Sequence, residues 1–186
     1  MLGYITHGTA LMEYSSRNKN HPSRLPETNG AYANAGDTYF DKYGKAENDL
    51  GNVGVADGQK FRGRGALHIT GRDNYSRYWI YSGWLDKNSF TASWWDTKVK
   101  NPKAAEINDP HRISANPKDA CDVGGWFWKM GNKKRKDLSL IADTDTVDDY
   151  QSTVADEISK IINSYDVNTF EQRKQRVLRA KKILVS

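Results

Sequence analysis

The chain has 186 residues, 37% of them hydrophobic, and a formal net charge of +5. That length accommodates one domain with a proper core, and the absence of any run of eighteen apolar residues excludes a membrane-spanning helix of the usual kind. A lone cysteine, Cys121, excludes an internal disulfide and is expected as a small core residue.

The positive charge suits an anionic partner such as nucleic acid, anionic lipid or a bacterial wall, and charge alone does not choose among them. The run Lys133-Lys134-Arg135-Lys136 reads as a solvated surface. The N-terminus lacks the basic-then-apolar pattern of a secretory signal, so for work outside the cytoplasm something else is expected to deliver the chain.

In chain order, residues 1 to 16 read as the end of a helix with Leu2, Ile5, Leu11 and Met12 as its apolar contacts. Its abrupt start gives the expectation of a domain excised from a longer chain. Residues 17 to 60, rich in Asn, Gly, Asp, Pro and Tyr, read as long loops. Phe61 to Thr70 predicts a short strand pair, followed by a helix beginning near Asp73.

Trp79, Trp84, Trp94 and Trp95 with Tyr81 and Phe90 are dense enough to line a sugar groove, although core is expected for at least half of them. Asn116-Pro117-Lys118-Asp119 combines an N-cap residue, proline at the first helical position and an early acid, which predicts a helix through Ala120, Val123, Phe127 and Met130. Thr146 with Asp149 resembles a capping box ahead of Val147, Tyr150, Val154, Ile158, Ile161 and Ile162 at helical spacing. Thr169 with Gln172 repeats it before a last helix carrying Phe170, Val177, Leu178 and Leu184 inward. The whole reads as one mainly helical domain over 1–186 with a small β element.

The segment from Asp57 to Tyr75, DGQKFRGRGALHITGRDNY, joins a glycine-punctuated turn to a short apolar run ending in polar groups. Gly63 and Gly65 permit positive φ or close approach, and Arg62, Arg64 and Arg72 call for acidic partners or anionic ligand groups. Position by position it resembles the signature of family 19 glycoside hydrolases, the lysozyme-like group of plant-type chitinases and many phage endolysins. The resemblance continues in order along the chain. Met12-Glu13-Tyr14-Ser15 is similar to the family's H-E-S or H-E-T motif, Asp49-Leu50-Gly51-Asn52 to its D-L-G-N turn, Gly125-Trp126-Phe127-Trp128 to its A-x-F-W helix, and Ile162-Asn163 to its I-N-G-G turn.

The resemblance implies an α+β lysozyme-like fold with a substrate cleft and an inverting cleavage of glycosidic bonds. Such cleavage needs one protonated carboxyl for the leaving oxygen and a second carboxylate to activate water. Glu13, placed at a helix end after Leu11 and Met12, is the expected acid, since partial burial there would raise its pKa. Glu27 is the first choice for the base, with Glu47, Asp37 and Asp41 as rivals; Glu47 otherwise supports the turn that follows it. Thr70 matches the hydroxyl that holds the nucleophilic water. His68, Asn74, Tyr75 and Asn163 match substrate-binding positions, with helix capping and core packing as alternatives for the last three. Arg64 and Arg173 match arginines that orient the carboxylates.

His68 stands where the family has glutamine, Ser164-Tyr165 replaces Gly-Gly, and the histidine of the H-E motif is a methionine. No metal-ligand spacing and no phosphate-cradling motif occur, and the chemistry implied needs no cofactor. The expected partners are peptidoglycan glycan strands, and a cognate inhibitor or immunity protein if the chain is a delivered toxin. Nucleic acid and membrane insertion are not expected; a monomer acting at the bacterial wall or periplasm is. The alternatives are a chitinase and a non-catalytic wall-binding module.

Overall fold

Asn116 starts its helix as the sequence predicts: the side-chain Oδ1 accepts from the Asp119 N–H at 2.9 Å, and Pro117 fills the first helical position, where no N–H is needed. The helix runs over Pro117–Trp126 and continues into a wider π turn over Phe127–Gly131. It belongs to a computed structural model that describes residues 41, 43, 44, 50–96, 98–146, 153–164, 167 and 170–185.

Among these residues the architecture is mainly helical. The helices are α1 (Val55–Lys60), α2 (Arg72–Tyr81), α3 (Arg112–Ala115), α4 (Pro117–Trp126), α5 (Leu138–Ala142), α6 (Thr153–Ile162) and α7 (Phe170–Val185), with a 3₁₀ turn at Lys87–Ser89. The expected strand pair is reduced to one antiparallel bridge between Arg64 and Ile69. α3 packs on α4, α5 on α6, α6 on α7, and the π turn meets both α2 and α5.

Two hydrophobic clusters result. In the first, Phe61, Ile69, Tyr75, Tyr78, Trp79, Ile113 and Val123 meet Trp126 and Phe127, joining α2 to α4. In the second, Trp128 and Leu138 meet Ile158 and Ile161 of α6. Leu67 and Ile162 pack against both clusters and so fasten α6 to the turn after Arg64. Each fully buried side chain of this size stabilises the fold by about 1.5–3 kcal/mol relative to exposure.

Several expectations are corrected. Val55–Lys60, read as loop, is helical: no side chain caps it, yet buried Asp57 accepts from the Val53 N–H at 2.9 Å and from Arg72, so tertiary contacts override the helix-poor residues Asp57 and Gly58 within it. Cys121 is exposed, because α4 turns Ala120, Val123 and Gly124 inward and Cys121 falls off that face. Met130 is exposed as well, since the π turn changes the helical phase after Trp126. Of the tryptophans, Trp79 and Trp94 are buried, Trp84 is half-buried and Trp95 is exposed. The helix expected over 1–16, Asp149 of the first capping box and Thr169 of the second lie outside the described residues.

Candidate functional site

The signature segment folds as a tight turn followed by a helix start. Arg64 and Ile69 exchange backbone bonds of 3.2 and 3.0 Å, and the His68 N–H donates to Gly65 O at 3.1 Å across the loop between them. Gly65 has φ +78°, and a Cβ there would lie 2.3 Å from Val123 Cγ1; the Ala66 N–H then donates to Ala120 O at 2.9 Å, seating the turn on α4. Gly71, at φ +91°, lets the Leu50 backbone press against the first turn of α2, where a Cβ would come within 2.6 Å of Leu50 O. His68 adopts φ +53°, a conformation uncommon for a residue with a side chain.

Arginines hold the segment together. Arg72 forms a two-point ion pair with Asp57, and its guanidinium lies 4.7 Å from the centre of the Phe61 ring. Its backbone N–H donates to Asn52 Oδ1 at 2.9 Å, and Asn52, itself buried, reaches back to Tyr43 O at 2.6 Å. Arg64 is buried too, but its bonds go to Lys60 O at 2.9 Å, Tyr75 Oη at 2.7 Å and, more distantly, His111 Nδ1 at 3.4 Å. Arg64 therefore braces the turn among the described residues rather than orienting a carboxylate there. Tyr75, fully buried, passes the chain of bonds on to Arg62 O at 2.7 Å, and stacks on Trp79. That geometry gives Tyr75 the packing role. Arg173 is likewise buried, in the first half of α7.

Thr70, Asn74 and His68 form a half-buried corner at the start of α2. The Thr70 hydroxyl donates to His68 O at 3.1 Å, and Asn74 Nδ2 donates to Thr70 O at 2.8 Å. Arg77 donates to Asn74 Oδ1, to Gly131 O at 3.1 Å, and pairs with Asp73 at 3.2 Å. Burial pushes the Asp73 carboxyl above its ordinary 3.8, with the positive charge of Arg135 pulling it partly back. Nearby, burial and then a 2.7 Å hydrogen bond to Asp122 push the Tyr78 phenol up. Asn163 is exposed directly after α6, its N–H bonded to Ser159 O at 2.9 Å, next to Ile162 of both clusters.

Glu13, Glu27, Glu47 and Asp37 lie outside the described residues; Asp41 lies within them. Among the described residues no three His, Cys, Asp or Glu side chains gather in a way that suits a metal ion. Compared with models of known protein families, with curated proteins and with solved structures, the chain finds no match.

Asp57 and Arg77 are the structurally decisive residues that sequence reading passed over. Asp57 carried a signal, since Arg72 called for an acidic partner; Arg77 carried none beyond its spacing of four from Asp73.

Proposed function

We propose that the chain is a peptidoglycan hydrolase related to family 19 glycoside hydrolases, with a lysozyme-like fold, a glycan cleft and an inverting mechanism. The observation that carries this reading is the Thr70–Asn74 corner: the ion pair, the glycines and the buried tyrosine of the signature are spent on building it, and its polar side chains stay half-buried. The Thr70 hydroxyl donates to His68 O, so its lone pairs are available to accept from a water. A water held there turns its own lone pair outward, as attack on a sugar carbon requires.

In this reading Glu13 protonates the leaving oxygen and Glu27 activates the water, the two roles that inversion assigns to carboxyls about 6.5–9.5 Å apart. Glu47 supports the turn that follows it in sequence, Asn163 meets the glycan, and Arg173 holds the base ionised. The substrate is the β-1,4-linked glycan of the wall, for which the net charge of +5 favours an acidic polymer over neutral chitin. The chain acts at the wall as a monomer, brought there by phage lysis or a secretion system, in the latter case with an immunity protein as partner.

The test is release of reducing ends from purified peptidoglycan by wild type and Glu13→Gln. Loss of a proton donor lowers the rate by about 10²–10⁴. Unchanged release would remove Glu13 from the role, and no release by wild type would leave a binding module.

A further inference from the structure

Lys129, Lys133, Lys134, Arg135 and Lys136 are all exposed, and no acid interrupts residues 129 to 136. Blocks of like charge repel and are commonly disordered. This one is folded around Asn132, which is fully buried. Asn132 Oδ1 accepts from the N–H groups of Lys134 and Lys136, each at 3.2 Å, while Nδ2 donates to Phe127 O at 3.1 Å and Lys136 O at 2.6 Å. Gly131 lies flat on Trp126, where a Cβ would meet the indole at 2.5 Å. Arg135 is held at φ +54°, a conformation that a residue with a side chain keeps only when its surroundings impose it.

The fold thus concentrates positive charge in a fixed frame. Among the described residues, Asp73 feels the charge of Arg135 and pairs with Arg77, and Asp137 accepts from the Ser139 N–H at 2.9 Å to cap α5. Through Arg77, which bonds both Gly131 O and Asn74, the loop stands one side chain away from the Thr70–Asn74 corner.

We infer that this loop is a docking site for a phosphodiester polymer carried on the wall glycan beside the proposed cleavage site. The choice of polymer rests on the reading of the corner as a glycan site; the anion-binding surface does not. An anionic membrane fits less well, because Met130 is the one exposed large apolar side chain of the loop and insertion needs a broader apolar face. Single-stranded nucleic acid fits less well too, because its bases stack on aromatics, and Trp126, Phe127 and Trp128 are buried.

The experiment is cosedimentation of the full chain, in the cold, with walls bearing poly(glycerol phosphate) and with the same walls after acid extraction of that polymer. Retention is expected to be about tenfold higher on intact walls and to fall steeply with salt. The triple variant Lys134→Gln, Arg135→Gln, Lys136→Gln should drop to the stripped-wall level, whereas Lys134→Arg with Lys136→Arg should hold like wild type; circular dichroism melting confirms that each is folded. Equal retention on stripped walls, undiminished retention of the folded triple variant, or stronger binding to anionic vesicles or DNA would overturn the inference. Reducing-end release is followed separately, so polymer-dependent retention without release supports the docking loop and counts against the hydrolase alone.

Discussion

Arg72 closes on Asp57 with two donors of its guanidinium, Nε to Oδ2 at 2.9 Å and Nη2 to Oδ1 at 2.6 Å, and both residues are buried. The pair ties α1 to α2, and so joins the first residue of the signature to the start of the helix that ends it. Removing one partner strands the other charge away from water. Asp57→Asn should therefore cost about 3–5 kcal/mol in urea unfolding, and a loss under about 1 kcal/mol would mean that the pair does not hold these elements together.

Gly65 and Gly125 make a matched pair of substitutions. At Gly65 the backbone is left-handed and a Cβ collides with Val123, so Gly65→Ala should lose about 2–4 kcal/mol from strain and overpacking together. At Gly125, inside α4, nothing lies within 4 Å of a new Cβ, and Gly125→Ala should gain about 0.5–1 kcal/mol. Thermal melts of the two variants should move in opposite directions; a shift of the same sign would contradict the geometry of the turn.

Asn132, itself buried, bonds backbone groups at both ends of the cationic loop. Asn132→Ala leaves several of them unpaired and should cost about 2–4 kcal/mol. Limited proteolysis by trypsin should then cut within residues 133–136 before the rest of the chain, and a cleavage pattern matching wild type would show that the loop does not depend on Asn132.

Asp73 supplies a pH dependence. Because burial raises its carboxyl in the folded state above the ordinary 3.8, folding favours the protonated form. Its contribution is fully present below 3.8 and is lost as pH rises through the raised folded value. The stability of Asp73→Asn relative to wild type should therefore increase across that interval. A difference that stays flat or declines would show that Arg77 and Arg135 outweigh burial.

Local chemistry was legible where one residue and its neighbours decide the outcome. The Asn116 cap, the proline after it, the inward Ala120 and Val123, and the turn at Gly65 all follow from a few adjacent side chains. The signature singles out Thr70 and Asn74, but the way they are tied into the fold was not legible, because Arg77, which bonds Asn74, reaches Gly131 from far along the chain. Helix α1 was missed for the same reason: its composition argues for loop, and its stability comes from Arg72. Cys121 was misplaced because smallness alone says nothing about which face of α4 it occupies.

The central claim, cleavage of wall glycan, is tested most directly by mass spectrometry of the soluble fragments that the chain releases from purified peptidoglycan, with colloidal chitin in parallel. Muropeptides ending in reducing N-acetylmuramic acid are the expected result. Fragments from chitin alone, or none from either polymer, would contradict it.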